Sequence, residues 1–225
     1  MPLYAFTFAM RDTVCGRARA DNAAASLRAA FPLRRRKMGV EGTMPLADWF
    51  RAMARNNAWS NYRLYGACAG LTQAELEAKR TSFFPTLQLT LNHILLVDLF
   101  YLDGLESGGR GLAIFANEIA HERIAELARA QADTDLRMVR FCDRLDEAAL
   151  AREIELDRGD EGLTREAVHA VLAHLFVHQI HHRGQVHAML SGTRVAPPQL
   201  DEFFLAWDEP RRAKELAALG LPPAR

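Results

Sequence analysis

Six of the eight histidines in this chain lie between His169 and His187. They sit in a stretch from Thr164 to Leu190 that holds one glycine and no proline. That density constrains the fold more than any other feature. A helix advances about 100° per residue, which sorts the histidines by direction. His174, His178, His181 and His182 fall in one narrow stripe, and His169 and His187 point to the opposite side. His178 and His182 are four residues apart, so their side chains stand one turn apart on one face. With that spacing a helix can offer two imidazoles to a single metal ion. The stripe borders an apolar face of Val171, Leu175, Val186 and Met189, so the two rings should point into a helical bundle.

A histidine-rich helix face can equally be a solvated polar surface, and a His-x3-His pair arises by chance. His93 tips the balance. Its stripe on a second helix contains Leu89, Leu96, Val97 and Phe100, which puts an imidazole in the middle of an apolar face. A buried neutral imidazole needs a hydrogen-bond partner or a metal. An inward histidine facing an inward pair on another helix is how bundle cores assemble metal sites.

The rest of the chain is read as helices. Leu46, Phe50, Met53, Ala54, Leu64 and Ala67 recur at helical spacing, and Gly66 and Gly70 end that first helix. Thr72 followed by Glu75 is a capping box for a short helix. Ser82 and Pro85 are expected to open a second long helix that runs to about Leu102, before a glycine-rich loop from Gly104 to Gly111. A third is expected from about Glu118 to Leu145. Residues 152–157 alternate polar and apolar, as in a short strand or extended connection. Thr164, Glu166 and Ala167 are expected to open the last helix, which ends before Ser191-Gly192. A short tail, Leu200 to Trp207, should pack on the bundle. The expected fold is all-α, an up-down-type four-helix bundle with short extra helices and a C-terminal tail.

Composition narrows the class. Apolar residues make up 49%, charged residues 25% and the formal net charge is zero, so the charge balance favours neither nucleic acid nor an anionic membrane as a partner. Cys15, Cys68 and Cys142 form no framework of pairs, which fits a reducing cytoplasm. No apolar run approaches the length of a membrane span. Residues 1–43 carry eight basic and three acidic side chains, with Arg34, Arg35, Arg36 and Lys37 consecutive. They read as an organelle leader, a nucleic-acid-touching tail or a disordered basic extension. The abrupt change to patterned helix at Met44 favours the extension, with the domain at 44–207 and a tail at 208–225.

The run His178-Gln-Ile-His-His182-Arg183-Gly184-Gln185 resembles the HxxxHRGQ signature of the DinB/YfiT-like metalloprotein family (DinB for damage-inducible). Leu91 to Leu95 resembles its metal-binding helix, Asn56 to Asn61 its first helix, and Pro198 to Phe204 its tail. The resemblance runs from about Met44 to Trp207. It implies a four-helix bundle, usually a homodimer, with three histidines on a divalent ion, here His93, His178 and His182. It also implies relatives that transfer or isomerise with low-molecular-weight thiols.

Three neutral imidazoles suit zinc or nickel, and also iron or copper, and exclude calcium and magnesium as natural occupants; availability puts zinc first and nickel second. Three protein ligands leave one position open, where an ion binds a thiol as thiolate or acidifies a water. Two function classes follow. One is a metal-dependent thiol transferase or hydrolase acting on a small-molecule substrate, with His174, His181 or Gln185 assisting. The other is a non-catalytic, stress-linked module stapled by its metal. The HExxH pattern of metalloproteases is absent. Gln185 is placed either to hydrogen-bond a ligand ring or as a polar residue near the helix end. Arg183 should point away from the stripe and bond another helix or a partner copy, and Gly184 should mark close backbone packing. Trp59 is read as core or pocket wall, Cys68 and Cys142 as plain buried residues, and Asp98 as a poor acid/base candidate. The remaining carboxylates read as solvated helix faces.

Overall fold

The computed structural model describes residues 44–221; the basic extension expected over 1–43 lies outside the described residues. Four long helices dominate the described residues: α1 (Leu46–Cys68), α3 (Leu87–Glu106), α4 (Ile124–Asp143) and α6 (Val168–Leu190). The short α2 (Gln73–Glu77) follows α1, and α5 (Glu147–Ala151) follows α4. Strands β1 (Glu153–Asp157) and β2 (Leu163–Ala167) form an antiparallel hairpin before α6, and α7 (Glu209–Ala218) closes the described chain.

Each long helix packs on two others: α1 on α4 and α6, and α3 on the same two. Asp98 meets Gln131 and Glu106 meets Arg137, so α3 and α4 run the same way. Phe50 meets Phe176 and Asn57 meets Arg183, so α1 and α6 also run together, opposite to the other two. The connection from 107 to 123 therefore returns along the length of the bundle.

Local chemistry sets the element ends. The Thr72 capping box is formed: the Thr72 amide donates to Glu75 Oε2 at 2.7 Å and the Glu75 amide to Thr72 Oγ1 at 3.3 Å. The helix expected from Ser82 begins later, because the Thr86 hydroxyl caps it by accepting from the Leu89 amide. It also runs past the expected end, to Glu106, and is capped by Ser107 in the left-handed region (φ 58°), where the Gly108 amide donates to Asp103 O at 2.8 Å. The third helix starts at Ile124, not Glu118. Ahead of it Asn92 holds the chain extended, donating to His121 O and accepting from the His121 amide, each at 3.0 Å.

Thr164 to Ala167 is a strand rather than the first turn of the last helix. The segment pairs with β1, whose Ile154 and Leu156 are buried. Leu156 lies so close over Gly104 that a side chain there would collide with its Cδ2. The C-terminal tail expected over 208–225 contains α7. Its Glu215 accepts from Trp59 Nε1 at 2.7 Å and Arg63 Nε at 2.9 Å, and Leu216 and Phe203 are buried. Trp59 is core, 5.3 Å from the Phe203 ring.

The core is two apolar clusters. One holds Phe50, Phe100, Met138, Leu172 and Phe176, and the other Leu64, Leu91, Leu95, Leu127 and Val186. On every long helix the residues between them are polar and buried: Asn57 and Asn61, Asp98, Gln131 and Asp135, Gln179 and Arg183. No helix among the described residues is long and apolar enough to cross a membrane.

Candidate metal centre

The helix from Val168 places His178 and His182 one turn apart, with ring centroids 4.3 Å from each other. The His93 ring on α3 sits 5.0 Å from His178 and 4.6 Å from His182. One ring nitrogen from each of the three lies within 4.8 Å of the others. His93 Nε2 and His178 Nε2 are 3.0 Å apart. Around a tetrahedral ion with bonds of about 2.0–2.1 Å, neighbouring donor nitrogens stand roughly 3.3 Å apart, so small ring rotations bring the group to a common centre.

The protonation states suit this. Burial pushes His93 down to about 3 and His178 to about 2, and the neighbouring imidazoles add to the effect. Burial also lowers His182. All three are therefore neutral at pH 7, with lone pairs to give. His182 Nδ1–H donates to Gln185 Oε1 at 2.8 Å, which leaves Nε2 as the bare nitrogen. Gln185 Nε2 in turn donates to His181 Nε2 at 3.1 Å. His178 Nδ1 is buried without a hydrogen-bond partner among the described residues. Such a polar orphan calls for a ligand or ordered water that the side chains do not supply.

His174 and His181 are exposed and stand outside the group. The His174 ring is 6.2 Å from His178, and the His181 ring is turned nearly edge-on to His182. His169 and His187 bond the carbonyls of Leu150 and Pro198, away from the site. A wall not foreseen from the sequence comes from the bend before α3. The Phe84 ring lies 4.3 Å from His93 and 5.7 Å from His182, and Phe83, 74% exposed, packs edge-on against Phe84. The late start of α3 puts the Phe84 ring against the histidines instead of on a helix.

Beneath the histidines, on the inward side of the same helices, lies the polar layer. Asp98 accepts from Gln179, and from Gln131 Nε2 at 2.8 Å. Asp135 accepts from Asn57 and Asn61 at 3.0 Å and from Gln131 at 3.1 Å. Arg183 donates to the Asn57 and Asn61 side-chain oxygens, across to α1 as expected. The burial of Asp135 corrects the reading of the carboxylates other than Asp98 as solvated helix faces. Desolvation pushes both carboxyls well up; the Asp98 charge adds to it for Asp135, and hydrogen bonds and Arg183 only partly offset it. The pair retains a proton near neutral pH, which leaves the layer neutral with Arg183 charged. The expectation for Gly184 also fails. It is exposed, and among the described residues nothing apart from its chain neighbours and its own helix backbone lies within 4 Å of where a Cβ would stand.

A family model described as the DinB family matches residues 38–214, well over half of the chain. The chain is also similar to Protein DinB of Bacillus subtilis (strain 168), at 21% identity over 150 residues, which cover 64% of this chain and 86% of that protein.

Proposed function

The chain belongs to the DinB family, and from that membership and the histidine geometry we propose a metal-dependent enzyme that transfers a low-molecular-weight thiol to a small electrophile. The observation that carries this reading is the group itself. Three neutral imidazoles converge within 4.8 Å, and no fourth histidine, cysteine or carboxylate among the described residues joins them. Catalytic metal sites keep such a position open, while closed structural sites fill it with protein. Zinc is the first choice of ion and nickel the second. When bound, the ion supplies a Lewis acid that takes a thiol as thiolate, or polarises an oxygen in the hydrolase variant of this reading.

The chain's own residues supply the rest. Gln185 holds His182 in the tautomer that presents Nε2. Phe84 lies against His93 and His182, and with the exposed Phe83 packed on it offers an apolar surface to the electrophile. His174 is the better placed proton acceptor of the two rim histidines. Its ring makes no hydrogen bond among the described residues, while His181 Nε2 is engaged by Gln185. Partial desolvation on the side facing the bundle, and then the Arg158 charge, also lower His174, so its ring is neutral at pH 7 and able to take the thiol proton.

Two finer points belong to the same proposal. Cys68 and Cys142 are free and buried, their thiols pushed up to about 12 by burial, as suits a cytoplasmic protein. On α6, Val177 and Ile180 are 67% and 52% exposed, with Gly184 next on that face. A second copy of the chain would cover them in a homodimer.

The test is a conjugation screen of glutathione, bacillithiol and mycothiol against electrophiles, with and without chelator. The expected result is turnover that chelation abolishes, added metal restores, and His178→Ala/His182→Ala lacks. Full metal occupancy without turnover of any pair would instead support a structural staple.

A further inference from the structure

Past His178 the row of polar side chains continues along the seam, or groove, between α3 and α6. The His174 ring is 6.2 Å from His178, and the Tyr101 ring is 5.3 Å from His174. Beyond Tyr101 stands Arg158, at the end of β1. Its Nη1 donates to the Tyr101 hydroxyl at 3.0 Å, its Nε to Thr164 Oγ1 at 3.4 Å, and its guanidinium carbon is 5.6 Å from the Tyr101 ring centre. The side chain is half-buried. No carboxylate among the described residues lies within ion-pair distance of it, unlike Arg55, Arg63, Arg137 or Arg212.

A partly desolvated guanidinium bonded only to neutral hydroxyls leaves most of its five N–H donors uncommitted. The Tyr101 hydroxyl accepts from Arg158 and donates to nothing among the described residues, so its proton is also available. Arg158 is close enough to His174 to lower its affinity for a proton, so its charge is felt inside the groove. Guanidinium donors beside a free hydroxyl proton match a carboxylate, which accepts in a bidentate manner. Distance sets the shape of the ligand. His93 and Tyr101 are two turns apart on α3, about 12 Å along the axis at 1.5 Å per residue.

We infer that Arg158 and the Tyr101 hydroxyl form a carboxylate-binding subsite at the far end of the histidine groove, so that the thiol used is an anionic one whose carboxylate lies several bonds from its sulfur. This rests on the open-site reading above and adds a substrate class to it. Binding here forms no covalent bond; Arg158 and Tyr101 are positioning residues for the thiol.

The test uses full-length protein loaded with cobalt and a series of straight-chain ω-mercapto acids against ω-mercapto alcohols of equal length, at fixed ionic strength. Binding is read from the thiolate-to-cobalt absorption. The acids should bind at least about tenfold tighter at an intermediate length, the expectation for one charge-assisted pair. Arg158→Gln should collapse that ratio to near one, and Arg158→Lys should keep part of it. Tyr101→Phe should reduce it. Metal content should be unchanged in all three variants. If Arg158 merely pins the hairpin, Arg158→Gln will lower the melting temperature and leave the ratio intact, which overturns the subsite. Equal binding of acids and alcohols at every length overturns it as well, while the open site stands. A cobalt spectrum indifferent to every thiol overturns both.

Discussion

On α6 two pairs of polar residues repeat at the same spacing, one position apart: His178 and His182, and Gln179 and Arg183. A rotation of about 100° separates them, and the environments they meet are opposite in kind. Gln179 and Arg183 turn inward to Asp98, Asn57 and Asn61, in a layer where nearly every donor has an acceptor. Gln179 Oε1 is its one orphan among the described residues. His178 and His182 turn to the groove, where nitrogens face nitrogens and His178 Nδ1 has no partner among the described residues. Buried polar groups that serve the fold are satisfied by the fold. A group left facing its own kind is arranged for something that arrives.

The sharpest way to break that contrast is to disturb each pair separately. Arg183→Met leaves the buried Asn57 and Asn61 oxygens without their charged donor and removes the positive charge that offsets the carboxyl pair. It should cost about 3–5 kcal/mol of stability in urea unfolding, the order of two buried hydrogen bonds to a charged group. His178→Ala/His182→Ala should strip the metal and leave the metal-free protein nearly as stable as its parent. Equal losses in the two variants would erase the distinction between a closed layer and an open site.

Gln185→Leu sharpens it at lower cost. Removing the acceptor for His182 Nδ1–H should weaken metal affinity by about 10–100-fold, read by competition with a coloured chelator. An unchanged affinity would leave Gln185 as an ordinary polar residue near the helix end.

The two regions also respond to acid in opposite senses, testable on metal-free protein. The folded carboxyl pair has its affinity for protons raised, so its contribution is fully present below the ordinary carboxyl range and is lost as pH rises through neutrality. The folded histidines have theirs depressed, so unfolding takes up protons below about pH 6.5, and that stability is lost as pH falls. Stability should pass through a maximum near pH 6.5, with slopes of at most about 1.4 kcal/mol per pH unit for each proton exchanged. Asp135→Asn should flatten the alkaline limb and His178→Ala the acid one. The smallest effect belongs to Gly184→Ala. With open space at its Cβ, it should stabilise an isolated chain by up to about 1 kcal/mol. Loss of dimer on the same substitution would show that a second copy fills that space.

The open pair could be read from sequence, and of the closed one only the direction of Arg183 could. Histidines at helical spacing on apolar faces announce themselves, and periodicity together with the family resemblance drew His93, His178 and His182 together. The helices were legible for the same reason. Asp98 gave no such signal: its angular offset from His93 was right, but a single carboxylate looks the same whether it meets water or Gln131 and Gln179. The ends of α3 and α4 depended on Thr86, Ser107 and Asn92, whose partners are distant in sequence or set by the last turn. Strand β2 exists because β1 lies beside it, and helical propensity alone does not register that. Phe84 was missed because its place over the site follows from where α3 starts.

X-ray absorption at the metal edge of the loaded protein tests the central claim most directly, with and without an added thiol. It should show three imidazole nitrogens at about 2.0–2.1 Å and one exchangeable light atom, which sulfur at about 2.3 Å replaces when thiol is present. Four protein ligands unchanged by thiol, or the same spectrum from His178→Ala/His182→Ala, would contradict it.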